Sequence, residues 1–398
     1  MKLTSLNLSN HKTTHYKLPE FIIAVFLLIL FFLLYKTTTQ KNLTSEKQTN
    51  TKLKTTIESI NKELETLKSQ DQLKRNNELQ KEIMAIESTF KSTLSTYEKL
   101  TDFAPTIKEL PKFKKDFAQI LKYLSDKNYS SASSKLVTLK SDIDKLKTSE
   151  TVTAPGINLA NVPNSNAPPG SGYSRQKVSV NGDSFLVDVI AGNMSSTKII
   201  VDTATDGDCR DNCPVLSLGE YVGRNGAYAG VNGSYFCPAD YPSCAGKSNS
   251  FDTLAMNKNK KYINSDNNVY STVPAVIFGS GFMRFVGRSQ DWGRDTGVDG
   301  VLANQSLLIS DGNVVFGGDG DPKKGSVGRR SFVANKGGIA YIGIIHGVTV
   351  AQGALVLKAM GMENALNLDS GGSTALWSGG YKVGPGRNLP NVILFVNK

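Results

Sequence analysis

The 398-residue sequence predicts an α+β protein, with a mostly β globular C-terminal domain carrying one well-marked helix, preceded by a transmembrane helix and an α-helical coiled-coil stalk. Three observations predict it. Phe21 to Tyr35 is an apolar run without a charge. Leu53, Ile57, Ile60, Leu64 and Leu67 recur at alternating intervals of four and three, which is coiled-coil spacing. Of 36 glycines only Gly156, Gly170 and Gly172 precede residue 174, whereas both tryptophans and all four cysteines follow it. The expected divisions are an N-terminal cytoplasmic tail (1–17), a transmembrane anchor (18–39), a stalk with a helical hairpin (40–148), a flexible linker (149–173) and the globular domain (174–398).

The apolar run is short for a span of ~20 residues, and Leu18 with Thr37, Thr38 and Thr39 extends it to the interface. Lys12 and Lys17 supply the basic flank that an anchor or a signal peptide needs. No small-x-small cleavage site follows, so an uncleaved single-pass anchor is expected, with the short tail inside and the globular domain extracytoplasmic. Cys209, Cys213, Cys237 and Cys244 suit that side of a membrane as two disulfides. Three pairings are possible, and Cys209 to Cys213 with Cys237 to Cys244 is the one adopted. A four-cysteine zinc site competes, but these spacings fit zinc ribbons poorly.

Leu79, Ile83, Ile86 and Phe90 resume the stalk pattern after a polar interruption. Pro105 and Pro111 are expected to break the helix, and two apolar series, Phe113 to Leu124 and Leu136 to Leu146, predict a hairpin turning near Asp126 to Ser130. Such a stripe is ordinarily core or self-association, so oligomerisation through the coiled coil and a monomeric spacer both remain open. Residues 149–173, rich in Pro, Asn, Ser and Gly, read as linker. Residues 174–398 hold 21 Lys+Arg against 18 Asp+Glu, a net of +3, leaving +8 of the total +11 to the first 173 residues. The positive excess thus belongs to the stalk, near anionic lipid or wall polymer, and no nucleic-acid partner is expected.

Within the globular domain short alternating runs predict strands: Phe185 to Ile190, Lys198 to Asp202, Ala275 to Phe278, Ser306 to Ser310, Val314 to Phe316 and Ala340 to Ile345. Asp311-Gly312 and Lys336-Gly337-Gly338 are hairpin turn signals between neighbouring runs. Thr349 and Gln352 have capping-box spacing, the apolar face of Val350 to Met360 follows, and Gly361 is placed to end the helix. A strand from Ala365 to Leu368 should put Asn367 and Asp369 on one face and deliver a carboxylate directly before Ser370-Gly371-Gly372, where glycines let backbone N–H groups approach an anion. A tight turn without a ligand is the plainer reading.

His11 and His15 precede the membrane segment, leaving His346 alone in the domain. A multi-histidine zinc hydrolase and a two-histidine phosphodiesterase are excluded, no HExxH occurs, and a serine triad would lack its GxSxG elbow. Gly320 to Ser326 lacks the lysine of a Walker A loop after Gly325. Asp206, Asp208 and Asp211 are spaced like part of a calcium loop without its Gly and distal Glu. No cofactor is expected, and calcium at this acidic loop is the alternative. Carboxylates must then move protons, and arginines must recognise phosphate.

Four segments resemble the phosphodiester glycosidase family. Arg224 to Phe236, with Asn232-Gly-Ser-Tyr-Phe, is similar to its "NGGYF" motif. Gly328 to Ala334, with Arg330-Ser331, is similar to its "RTaiG" strand. Gly347 through the capped helix to Asn367-Leu-Asp369-Ser-Gly371-Gly372-Ser373-Thr374 is similar to "AlNLDGGGSt", the most specific match. Gly386-Arg387 to Ile393 is similar to the closing strand. Ser234 and Ser370 stand where the family has glycine, and His346-Gly347 stands in place of its "DGR", so an acidic partner is missing. His346, Asp202 or Asp252 could substitute, or activity could be lost.

The resemblance implies hydrolysis of a glycosyl-1-phosphodiester in a glycan or cell-wall polymer. Arg330 and Arg387 would hold the phosphate with the Gly371 and Gly372 backbone, and Asp369 would be the acid-base or cation-stabilising carboxylate. Asn232 and Asn367 would orient sugar hydroxyls, with Ser373, Thr374 and His346 on the rim. The rival reading is a noncatalytic surface module that binds glycan or wall polymer from a helical stalk.

Overall fold

The computed structural model describes residues 18–103, 110–150, 161–266 and 271–398. The expected tail (1–17), the break at Pro105 and residues 151–160 of the linker lie outside the described residues. Residues 1–84 and 85–398 are two compact units.

In the first unit, α1 (Leu18–Ser69) runs unbroken from the apolar segment into the stalk. It is the one helix, among the described residues, long and apolar enough to cross a membrane. The stripe Leu53, Ile57, Ile60, Leu64 and Leu67 is exposed. The polar interruption is a real break, because α2 (Asp71–Phe103) starts after Gln70.

The second unit begins within α2. Pro111 occupies the second position of α3 (Leu110–Ser125), where its missing N–H breaks no helical hydrogen bond. The chain turns at residues 126–128 into α4 (Tyr129–Glu150), as the hairpin spacing predicts. Leu100 of α2, Phe113, Ile120 and Leu124 of α3, and Leu136, Leu139 and Ile143 of α4 bury one another in a three-helix core.

The β part has three antiparallel sheets. The first runs in the order β1 (Gly172–Val180), β2 (Asp183–Asn193), β13 (Ile339–Val348), β12 (Gly328–Lys336), β14 (Asn364–Ser370), β10 (Leu307–Ser310) and β11 (Asn313–Val314). The second is β16 (Tyr381–Val383), β15 (Leu376–Ser378), β4 (Ala229–Asn232), β17 (Asn391–Asn397) and β3 (Thr197–Thr203). The third is β6 (Tyr262–Ile263), β5 (Ala255–Met256), β9 (Gly300–Ala303), β7 (Ala275–Gly279) and β8 (Phe282–Val286). Their inner faces share one core, to which Ile344 and Leu368, Val231 and Ile393, and Val276 and Leu302 contribute.

On the outer face of the first sheet lies α6 (Val350–Ala359), with Val350, Ala354 and Leu357 packed on Phe332, Ile345 and Ala365. Its capping box is formed as expected, Thr349 accepting from the Gln352 N–H and Gln352 from the Thr349 N–H. Asp311 and Gly312, at φ of 48° and 73°, form the tight turn between β10 and β11. A second helix, α5 (Leu218–Asn225), is capped by Ser217 and Glu220 and covers the outer face of the second sheet.

The linker expectation needs correction from residue 161 onward. Pro163 O accepts from the Lys177 N–H (2.8 Å), and the Ser165 N–H donates to Lys177 O (2.9 Å). Because β1 is an edge strand with unpaired backbone groups, this segment pairs with it instead of hanging free.

Candidate active site

β14 carries Leu366 and Leu368 into the inner core, so Asn367 and Asp369 face the other way. β14 lies beside β12, with Arg330 opposite Ser370. The Asp369 N–H donates to Gly233 O (2.9 Å), tying the end of β14 to the turn after β4. Asn232, completely buried, locks that junction. Its Nδ2 donates to Asp369 O (2.7 Å), and its Oδ1 accepts from Ser331 Oγ (2.8 Å) and from the Ala375 N–H (3.1 Å). Asn232 therefore shapes the 369–375 turn from beneath and does not reach toward sugar hydroxyls as expected. The same correction applies to Asn367, whose Nδ2 donates to Tyr235 Oη (2.6 Å) and Gln305 O (3.0 Å) under complete burial.

Asp369 is the buried carboxylate of the site. Burial pushes its pKa up to about 7, against the lowering effect of hydrogen bonds from Ser373 and the Ser370 N–H and of the Arg387 charge, while the Asp102 charge adds to the rise. Such a group exchanges a proton near neutrality, the property an acid-base residue needs. After it Gly371, at φ 66°, turns the chain so that Gly372 approaches Arg387. A Cβ at Gly372 would come within 2.8 Å of the guanidinium carbon. Thr374 Oγ1 and Asn367 Oδ1 are buried with no hydrogen-bond partner among the described residues.

Arg387 is the cation of the turn. Its N–H donates to Gly372 O (2.9 Å), its Nη1 lies 3.5 Å from Ser373 Oγ, and its guanidinium sits 4.8 Å from the Tyr241 ring centre. It pairs with Asp102 (2.7 Å) and Asp240 (3.1 Å). Burial works against its charge, but Asp102, Tyr241 and Asp240 prevail and raise its pKa.

Arg330 lies in the same neighbourhood, within reach of the charges of Asp369 and Asp102 and of the Tyr235 phenol. Its guanidinium is committed to backbone carbonyls, Lys323 O (2.9 Å), Val348 O (3.3 Å) and Ser326 O. Burial lowers its pKa. Its geometry is that of a clamp on the 323–326 loop. That loop, with Lys99, Asp144 and Thr349, lines a cavity of about 650 Å³.

His346 belongs to a different cluster. Ile345 packs on the helix side of the first sheet and Ile344 on the inner side, so alternation sends His346 inward, away from Asp369. There His346 Nε2 lies 2.7 Å from Asp188 Oδ2. Fully buried Asp188 also accepts from Tyr173 Oη and from Arg175 Nε (2.7 Å) and Nη2 (2.9 Å). Burial would raise the Asp188 pKa, but hydrogen bonds from His346, Arg175 and Tyr173 together lower it. Burial lowers that of His346 despite its partner. This network staples β1, β2 and β13, and the rim role expected for His346 is not what its position serves. Asp202 is likewise engaged, with Arg224 (2.7 Å) and Lys258 (3.4 Å).

The disulfides are Cys209–Cys213 and Cys237–Cys244, the pairing adopted from sequence. Asp206 accepts from Asn257 Nδ2, Asp208 from the Asn264 N–H and Asp211 from the Ser248 N–H. These carboxylates fasten loops, and no group of three His, Cys, Asp or Glu side chains among the described residues could hold a metal ion. Sequence reading missed Tyr241, Asp240 and Asp102 at the site. The only available signal was that Asp240 and Tyr241 lie inside the loop closed by Cys237 and Cys244.

Residues 225–396 match the family model for phosphodiester glycosidase. No curated protein matches the chain. Among solved structures, the catalytic domain of the zebrafish N-acetylglucosamine-1-phosphodiester α-N-acetylglucosaminidase aligns at 14% identity over 60% of this chain and 87% of its own, with a TM-score of 0.45. A hypothetical protein from Synechocystis aligns at 14% identity over 57% of this chain, with a TM-score of 0.39. The chain spans 62% of the length of that Synechocystis protein.

Proposed function

We propose that this chain, whose residues 225–396 match the phosphodiester glycosidase family model, is a membrane-anchored extracytoplasmic hydrolase of a glycosyl-1-phosphodiester bond in a glycan or cell-wall polymer. The observation that carries this reading is the pairing of a buried carboxyl titrating at about 7, Asp369, with a guanidinium, Arg387, across one glycine turn. Cleavage of such a bond separates an electron-poor anomeric carbon from a phosphate that leaves with added charge. Water adds its oxygen to the anomeric carbon as the bond from that carbon to the phosphate oxygen breaks. Asp369 takes the proton that the water loses, Arg387 and the Gly372 N–H receive the charge of the leaving phosphate, and Ser373 holds both groups in register.

Asn232, Asn367, Tyr235 and Arg330 act as positioning residues, fixing the turn and its neighbouring loop. The apolar segment of α1 anchors the chain, and the two disulfides suit an oxidising compartment. The test is incubation of the full chain, in detergent micelles, with a synthetic sugar-1-phosphodiester. Release of free sugar and a phosphomonoester in equal amounts is expected. Saturable binding to isolated wall polymer with no product would instead identify a binding module.

A further inference from the structure

Tyr241 sits in the loop that Cys237 and Cys244 close, and its buried ring has two cations beside it. The Arg387 guanidinium lies 4.8 Å from the ring centre, and Lys323 Nζ lies 5.0 Å from it. The two cations differ in how far they are committed. Arg387 is 14% exposed and pairs with Asp102 (2.7 Å) and Asp240 (3.1 Å). The Lys323 side chain is 75% exposed, and among the described residues its acidic partner is Glu98 at 3.9 Å. Yet the backbone of Lys323 is fixed more firmly than a surface lysine requires. Its N–H donates to Asp321 Oδ1 (2.7 Å), and its carbonyl accepts from Arg330 Nη2 (2.9 Å) and Ser326 Oγ (2.8 Å). The next residue, Lys324, is buried against Asp319 and Gln305 Oε1 (3.1 Å). A single helical turn, Pro322–Gly325, thus commits one lysine to packing and presents the other beside the site.

We infer that Lys323 forms a second anion subsite beside that of Arg387, and that the substrate is a chain of phosphodiester-linked repeats that engages both. This rests on the reading of Arg387 and the Gly372 N–H as the subsite of the phosphate being cleaved. A phosphodiester has two terminal oxygens sharing one negative charge, and a guanidinium fork with one backbone N–H matches both of them. An isolated diester therefore leaves the ammonium beside the Tyr241 ring unused. A repeat that carries a further phosphate on its next unit brings an anion to it. An ammonium is a point charge on a flexible stem, which suits an anion whose orientation varies along a polymer. The clamp by Arg330 then has a consequence for binding, because it fixes the point from which that stem reaches out. Taking Lys323 from Glu98 costs little, since an exposed contact at 3.9 Å is a weak ion pair.

The test uses the full chain in detergent micelles and two probes read by titration calorimetry. Dimethyl phosphate carries a single diester, and propane-1,3-diyl bis(methyl phosphate) carries a pair of them on a short chain. The paired probe is expected to bind at least about fivefold more tightly, the gain that an exposed ion pair can supply, and raising the salt should shrink it. Lys323→Gln should reduce the ratio of the two affinities to the small factor that arises because the paired probe offers a choice of diesters. Lys323→Arg should keep the ratio. Equal binding of the two probes, or a ratio that Lys323→Gln leaves intact, would overturn the second subsite while the first stands. Arg387→Ala should weaken both probes. If it binds dimethyl phosphate as the unaltered chain does, or if neither probe binds the unaltered chain, the first subsite fails and the second with it. Binding is read without turnover, so lack of hydrolysis would count against the proposed activity alone.

Discussion

Replacing Asn232 with Ala removes a side chain that is wholly enclosed and makes three hydrogen bonds at once. Each lost bond costs about 1 kcal/mol net, and more where its partner is left dry. Asp369 O, the Ser331 hydroxyl and the Ala375 N–H would all be left behind, for a total of about 3 to 5 kcal/mol. That is a large share of a typical domain stability of about 5–15 kcal/mol. The assay is urea unfolding followed by the fluorescence of Trp292 and Trp377, which both lie in the β domain. Ser331→Ala, which removes one of the three bonds, should cost about a third as much. The double variant should cost less than the sum, since the two residues share that bond. A loss below about 1 kcal/mol in Asn232→Ala would refute the idea that this residue holds the 369–375 turn from beneath.

Gly372→Ala adds a Cβ 2.8 Å from the Arg387 guanidinium without demanding an unusual backbone angle. It should leave the urea midpoint nearly unchanged while raising KM for a phosphodiester about tenfold, and an unaltered KM would separate this turn from phosphate binding. Asp188→Asn leaves Arg175 without its counter-charge in a buried network and should cost about 3–5 kcal/mol at neutral pH. The folded pKa of Asp188 is depressed, so its contribution is present above the ordinary aspartate range and is lost as pH falls through the folded value. The variant should therefore show a flatter decline of stability between neutral pH and pH 3, read from urea titrations at each pH.

Local signals in the sequence were the most readable. The capping box at Thr349 and Gln352, the Asp311-Gly312 turn and the alternation that turns Asp369 away from the core each depend on residues a few positions apart. Ser217 and Glu220 form a second capping box of the same kind, and the helix it starts, α5, was missed in the sequence. The third sheet was largely illegible because β5 and β6 are two residues long, too short for alternation to register. Long-range polar partnerships were hidden for a different reason. Nothing near Asn232 reveals that it would bond to residue 369, and nothing in a charged helix end reveals that Asp102 would meet Arg387, 285 positions away. Motif likeness picked out loops that lie near one another in the structure, but the different partners of Asn232, Arg330, His346 and Arg387 appear only when their hydrogen bonds are traced.

Those partnerships leave one side chain with both the burial and the placement to move a proton. The most direct measurement is the pH profile of kcat/KM on a sugar-1-phosphodiester for the full chain and for Asp369→Asn. The account predicts a wild-type profile that changes slope near pH 7, where Asp369 titrates, and a loss of about 10²- to 10⁴-fold in the folded variant. Turnover by Asp369→Asn within a few-fold of wild type, with the same profile, would contradict it.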